Sequence, residues 1–284
     1  SAFDHPNMLA GEPIPFPNAV TLEKIKYRLN LWATKVEGDE PTHPDDVLLD
    51  GQRWRLGPVA QARLAGIRPS GATNSVFSEG LWQKVLANRH EIQDHWPLQL
   101  GADIARYGDD HTVIVVRRGL CILHIERHNG WNTVATAERI KQLVHKYSHP
   151  HEVIERIPCI IDDTGVGGGV VDQGGDYRFV GVNWGWKAAD ETKYGDVRSE
   201  LWFDAVEAAD QGLLDISRLT YDMQNALRDQ LLAPCYWLDK KGRRIVEEKS
   251  ATKLRLTESP DIADAFILSL TPHTSYYEKT ASIR

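Results

Sequence analysis

Apolar and polar positions are distributed differently in the two parts of the chain. Over residues 1–96 there is little strand-like alternation, and apolar residues at helical spacing, Ile25, Leu29 and Trp32, predict a helix from Thr21 to about Val36. Further helices are predicted from Pro58 to Ile67 and from Glu79 to Ile92, separated by long polar loops such as 37–50. Eight of the fourteen prolines fall in this stretch, which marks it as a small helical linker module. From Trp96 onward the pattern changes to that of an α/β domain. Strands are predicted near 98–105, 112–118 and 120–127, then a helix from Asn132 to Tyr147 whose Val134, Ala137, Ile140, Leu143 and Val144 form one apolar stripe. A strand at 157–161, a glycine-rich loop, a strand at 179–182 and helices at 196–209 and 217–232 follow. A basic hairpin over 235–248 and a helix over 260–270, with Ser259 as its cap and Pro260 at its first position, close the domain. Three antiparallel strands followed by strands alternating with helices predict a ribonuclease H-like mixed sheet flanked by helices over 97–284.

Composition narrows the class. A chain of 284 residues that is 42% hydrophobic is an ordinary globular protein, and no apolar run approaches a membrane span. The N-terminus lacks the basic start and apolar core of a signal peptide, so the expected location is cytoplasmic. Cys121, Cys159 and Cys235 stand singly in apolar runs and read as reduced core residues. A net charge of −7 argues against coating nucleic acid through the overall field, but residues 239–255 hold seven basic side chains against three acidic ones. That stretch, with Lys240, Lys241, Arg243 and Arg244 at the hairpin, is either a solvated tip or a local phosphate-binding surface.

The acidic positions carry the chemistry. Asp103 lies inside an apolar strand, where a carboxylate is costly to bury unless a cation sits against it. Asp162 and Asp163 directly follow the apolar strand 158–161, where the chain leaves the sheet. Asp261 and Asp264 lie three apart at a helix start and share one face. Folding can therefore bring three or four carboxylates to one point, the hard-oxygen set that two Mg²⁺ or Mn²⁺ ions need for phosphodiester hydrolysis. Asp109 and Asp110 read as turn formers.

Other motifs compete. The Gly165-to-Gly169 run admits a dinucleotide-binding turn, weakened by Val170 at the last glycine position and by the two preceding carboxylates; a backbone passing close to metal or DNA is the other reading. No P-loop motif occurs, so ATP hydrolysis by that route is not expected of this chain. His145, His149 and His151 could hold zinc or be solvated surface. Trp184, Trp186 and Lys187 could contact nucleic acid or pack the core, and Arg198 could contact phosphate or form a structural ion pair.

Taken together, GADIARYGDDHTVI, IIDDTGVGGGVVD, YGDVRSELW and EEKSATKLRLTESPDIADAF resemble, in order, the motifs of the C-terminal nuclease domain of the large terminase subunit of tailed bacteriophages and prophages. FDHPN and SVFSEGLW resemble the segment that joins motor to nuclease in that family. The resemblance implies an endonuclease that cuts concatemeric viral DNA during packaging in the host cytoplasm, using two Mg²⁺ or Mn²⁺ ions. It also implies double-stranded DNA, the terminase small subunit and the portal or procapsid as partners. In the absence of Walker motifs, it implies that the chain is a fragment or a separately made nuclease portion. Asp103 and Asp162 match metal ligands, Asp163 is an adjacent candidate, and the third ligand is Asp261 or Asp264. Lys249 and Arg255 match basic positions ahead of the last motif and are candidate DNA contacts. Another ribonuclease H-like nuclease, of resolvase or transposase type, and a non-catalytic DNA- or procapsid-binding module are the alternatives.

Overall fold

The computed structural model describes residues 2–3, 20–38, 46–57, 60–66, 74–105, 110–256 and 258–272. The expected Gly108-Asp109 turn, most of FDHPN and the start of the predicted 58–67 helix lie outside the described residues. The chain divides into two compact units, Ser1–Thr73 and Asn74–Arg284, so the division falls earlier than the expected one after residue 96.

The first unit is not purely helical. Helix α1 (Leu22–Trp32), capped by Thr21, stops four residues short of the predicted end, and Ala33–Val36 continues as strand β1. With β2 (Asp46–Leu49) and β3 (Gln52–Leu56) it forms an antiparallel sheet in the order β1-β3-β2. The hairpin between β2 and β3 turns on Asp50 and Gly51, both at positive φ (52° and 70°), the Asp-Gly pair that a tight hairpin prefers. That dipeptide is legible in the sequence, but strands of four and five residues are too short to show alternation. Ile25, Leu29, Trp54, Leu56, Ala60 and Leu64 form the core of this unit.

In the second unit α2 (Glu79–Ala87), capped by Ser78, precedes the sheet. Strands β4 (Leu98–Asp103), β5 (Thr112–Arg118), β6 (Cys121–His128), β7 (Cys159–Asp162) and β8 (Phe179–Val182) pair in the order β6-β5-β4-β7-β8. β4, β5 and β6 are antiparallel, while β7 and β8 run parallel to β4. This is the expected mixed sheet. Helix α3 (Thr133–Tyr147) covers one face, burying Ala137, Ile140, Leu143 and Val144 against Leu98, Leu100, Ala102, Ile114, Val116 and Ile161. The alternate strand residues, Val113, Val115 and Ile160, belong to the core of the other face with α5 (Val197–Asp210), α6 (Tyr221–Leu232) and α8 (Asp261–Ser269). Between them lie α4 (Gly168–Val171), the hairpin strands β9 (Tyr236–Leu238) and β10 (Arg244–Val246), and α7 (Lys249–Leu256). The two helices α4 and α7 are additions to the predicted set.

What positions the site is the contact of α8 with β4. Gln99, Gly101 and Asp103 share one face of the strand. The Gln99 side-chain amide donates to the carbonyls of Ser269 (2.8 Å) and Thr271 (2.9 Å), clamping the C-terminal end of α8. A Cβ on Gly101 would lie 2.2 Å from Ser269 N and 2.5 Å from Ala265 O, so only glycine lets the helix rest directly on the strand. One step further along, Asp103 meets the first turn of α8. No helix among the described residues is long and apolar enough to cross a membrane.

Candidate metal and nuclease site

Three elements deliver the carboxylates. Asp103 ends β4, Asp162 ends the adjacent parallel strand β7, and Asp261 and Asp264 occupy the first turn of α8. That first turn is not capped by Ser259. Pro260 takes the cap position, and Gln230 of α6 accepts hydrogen bonds from Ile262 N (2.8 Å) and Ala263 N (3.1 Å). A side chain thirty-two residues away supplies the acceptor that a local serine was expected to provide.

Lys249, at the start of α7, sits among these acids. Its Nζ lies 2.7 Å from Asp103 Oδ2, 2.9 Å from Asp261 Oδ1 and 3.4 Å from Asp264 Oδ2. On the far side of Asp264, Arg198 Nη2 lies 3.2 Å from Oδ1. Backbone amides hold the outer carboxylates: His111 N donates to Asp261 Oδ2 (2.7 Å) and Thr164 N to Asp162 Oδ1 (2.7 Å). Four carboxylates thus share two cations. Burial pushes the Asp103 carboxyl up to about 8 against the pull of Lys249, and Asp264, Asp162 and Asp261 push it the same way. Asp162 is also raised, chiefly by burial. Asp261 moves down, because Lys249 and the His111 amide outweigh its burial. Burial opposes the charge on Lys249, but Asp103, Asp264 and Asp261 outweigh it and hold the lysine protonated.

Both carboxylate oxygens of Asp264 are buried and accept no directed hydrogen bond, despite the two cations within ion-pairing distance. Buried oxygens in that state fit a hard cation. Among the described residues no three Asp, Glu, His or Cys side chains are already drawn together as a coordination set. The carboxylates are instead arranged around the Lys249 ammonium, which stands where positive charge is needed.

The glycine-rich loop serves the end of β7. Gly165 has φ +87°, and a Cβ on Gly167 would lie 1.6 Å from Asp162 O, so the loop folds back on the strand end itself. It leads to a helix of four residues, which removes the helix that a dinucleotide turn requires. Asp163 lies beside Gly168 and Gly181.

The basic candidates separate into two groups. Lys240, Lys241 and Arg244 are exposed at the β9–β10 hairpin, with Arg244 over the Phe203 ring (4.6 Å). Arg243 is tied to Asp239 (2.8 Å), Arg255 to Glu247 and the Ala233 carbonyl, and Arg198 is 7% exposed beneath Trp184. Asp110, expected only as a turn former, accepts from Lys253 (2.5 Å). The histidines do not gather as a zinc site: His145 bonds the Tyr177 hydroxyl (2.6 Å), and His149 stacks on His151. The three cysteines are free. One residue absent from the sequence-based set joins the site: His111 acts through its backbone, which leaves no sequence signal.

No family model matches the sequence, and no curated protein matches it. Solved structures do. The nuclease domain of the large terminase subunit of bacterial virus Sf6 superposes with a TM-score of 0.58 at 13% identity, over 70% of this chain and 100% of that one. A single-substitution variant of that domain, solved with manganese and beta-thujaplicinol, matches with a TM-score of 0.58 at 12% identity, over 70% of this chain and 100% of the other. Another, solved with calcium, gives 0.56 at 12% identity, over 70% and 99%. The chain therefore has the ribonuclease H-like fold of the phage terminase nuclease domain.

Proposed function

We propose that this chain is a divalent-metal-dependent DNA endonuclease of the terminase large-subunit type. The observation that carries the reading is the convergence of Asp103, Asp162, Asp261 and Asp264 from two parallel strand ends and one helix start, with two Asp264 oxygens left without hydrogen bonds. Similar domains solved with manganese and calcium support a hard divalent cation as the missing charge.

Asp103, Asp162 and Asp264 would hold the ions, with Asp163 and Asp261 as flanking candidates. Asp264 is favoured over Asp261 as the helix ligand because both of its oxygens are buried without a hydrogen bond, while one Asp261 oxygen is taken by the His111 amide. Two Mg²⁺ or Mn²⁺ ions held by these residues would supply an activated water and charge stabilisation for the leaving oxygen. The chain's own groups orient the carboxylates: Thr164 N fixes Asp162, His111 N fixes Asp261, and Lys249 holds Asp103, Asp261 and Asp264 around one ammonium. Lys240, Lys241 and Arg244 are the exposed cations suited to phosphate, whereas Arg243, Arg255 and Arg198 are engaged within the fold. The wider role follows from the same reading: cutting of concatemeric viral DNA in the host cytoplasm, with the small subunit and the portal or procapsid as partners.

One observation favours a second reading. Lys249 already pairs with Asp103 and Asp261, as it would in a non-catalytic DNA-binding module. Plasmid cleavage in Mn²⁺ decides between them. The endonuclease reading expects cutting by the parent chain and its loss in Asp103→Asn and Asp162→Asn. Equal cutting by the variants would refute the site. Salt-sensitive binding without cutting would establish the module, and a preference for branched DNA would point to a resolvase-type enzyme.

A further inference from the structure

The first turn of α5 does more than begin a helix. Arg198, Ser199 and Glu200 are all buried there, and each reaches a different segment. Glu200 accepts from Ala189 N (2.6 Å) and Asp190 N (2.9 Å), closing the loop that follows β8. Ser199 Oγ accepts from Val246 N (2.9 Å), pinning the end of β10 three residues before Lys249. Arg198 reaches Asp264 at 3.2 Å, its guanidinium lies 5.3 Å from the centre of the Trp184 ring, and its backbone N–H donates to the Trp184 carbonyl (3.3 Å). Arg198 Nε and Nη2 are buried without a directed hydrogen bond. Asp264 is consequently held between two cations of different character, Lys249 on Oδ2 and Arg198 on Oδ1. The side chain of Lys249 is 33% exposed and that of Arg198 only 9%. A buried arginine roofed by an indole cannot reach a DNA phosphate without dismantling the loop that covers it.

We infer that Arg198 is a positioning residue that sets the orientation of Asp264 for cation binding, with Trp184 as the ring that keeps water from the guanidinium, and not a contact for DNA. The inference rests on the nuclease reading above and assigns the arginine of the YGDVRSELW segment to the metal site. Groups that orient a ligand typically contribute about 10- to 100-fold to metal affinity or activity.

The test uses the full chain in three forms: parent, Arg198→Gln and Arg198→Lys. Mn²⁺ is titrated without DNA and followed by thermal shift. Duplex DNA binding is measured without metal at several salt concentrations, and plasmid cleavage is measured at saturating DNA. In Arg198→Gln the Mn²⁺ concentration for half-maximal stabilisation should rise by about tenfold or more, and maximal cleavage should fall by about 10- to 100-fold. DNA affinity and its salt slope should stay at the parent values. Arg198→Lys retains the charge and should recover much of the Mn²⁺ response, which a merely structural role does not predict. A weaker DNA affinity with a shallower salt slope would make Arg198 a phosphate contact and overturn the inference. So would parent-like Mn²⁺ response and cleavage in Arg198→Gln, or equal loss of Mn²⁺ response in both variants. If Arg198→Gln does not fold, Arg198→Lys alone decides, since parent-like DNA binding with a threefold or larger shift in Mn²⁺ response is then required. A parent chain that neither binds Mn²⁺ nor cuts DNA would refute the nuclease reading instead.

Discussion

Two carboxylate centres on one sheet handle buried negative charge in opposite ways. On β6, Glu126 stands alone between one arginine and two histidines. Arg139 grips both oxygens, Nε to Oε1 and Nη2 to Oε2 at 2.7 Å each, while His124 and His128 approach at 3.0 and 3.1 Å. At the ends of β4 and β7 four carboxylates share Lys249 and Arg198, and two Asp264 oxygens accept no hydrogen bond. Burial opposes ionisation at both centres. At Glu126 the hydrogen bonds from Arg139, His124 and His128 overcome it and hold the carboxyl well below its usual range. At Asp103 burial and neighbouring acids win, and the carboxyl rises to about 8. A satisfied carboxylate braces a fold, whereas an under-compensated set has capacity for another cation.

The largest expected effect is on chemistry. Asp103→Asn should cut plasmid DNA at less than about one-hundredth of the parent rate, the scale of losing one electrostatic partner of a reaction centre. Glu126→Gln should cut at the parent rate, and loss of cutting in that variant would break the contrast between the centres. Next in size is Lys249→Met. Removing one partner of a buried ion pair costs about 3–5 kcal/mol, so the metal-free melting temperature should fall by roughly 10 °C and recover when Mn²⁺ is added. An unchanged melting temperature would show that the lysine is not needed to hold the acids together.

The pH dependences should have opposite signs. Asp103 has a folded pKa raised from 3.8 to about 8, so its contribution is fully present below pH 4 and is lost as pH rises through 8. The metal-free parent should therefore lose stability relative to Asp103→Asn between pH 4 and pH 8. Glu126 has a folded pKa depressed below 4.5, so its contribution is present above pH 4.5 and is lost as pH falls. The smallest effect follows from this: Glu126→Gln should melt a few degrees lower than the parent at pH 7, roughly 2–4 °C for each kcal/mol lost, with the gap closing in acid. Thermal melts of the three chains across pH 3–9 check both signs.

Much of the second unit was legible because its elements are long and periodic. The expected bounds of α3, β4 and β5 match the observed helix and strands within a residue or two, although Val134 of the expected stripe is exposed. The four-residue strands β7 and β8 were also expected, but several other short elements were not. β2 has four residues, and α4 and α7 start from glycine- and lysine-rich stretches without an apolar period. At the site, residue type and order indicated which acids matter, since an aspartate closing an apolar strand is costly wherever it folds. Distances to Lys249 and the burial of Arg198 depend on packing between elements.

By itself the sequence determined the order of the strands and longer helices of the second unit, the acidic residues that end those elements, and the basic hairpin, because hydrophobic period and local charge are properties of neighbouring residues. Only the tertiary structure decided which cations answer the acids. Gln230 caps α8 from another helix, Gly101 lets that helix lie on β4, and Arg198 turns inward to Asp264 while Lys240 and Lys241 stay outside. A charge has the same chemistry at every position in a chain. Whether it meets water, phosphate or a buried carboxylate depends on which surfaces the core brings together.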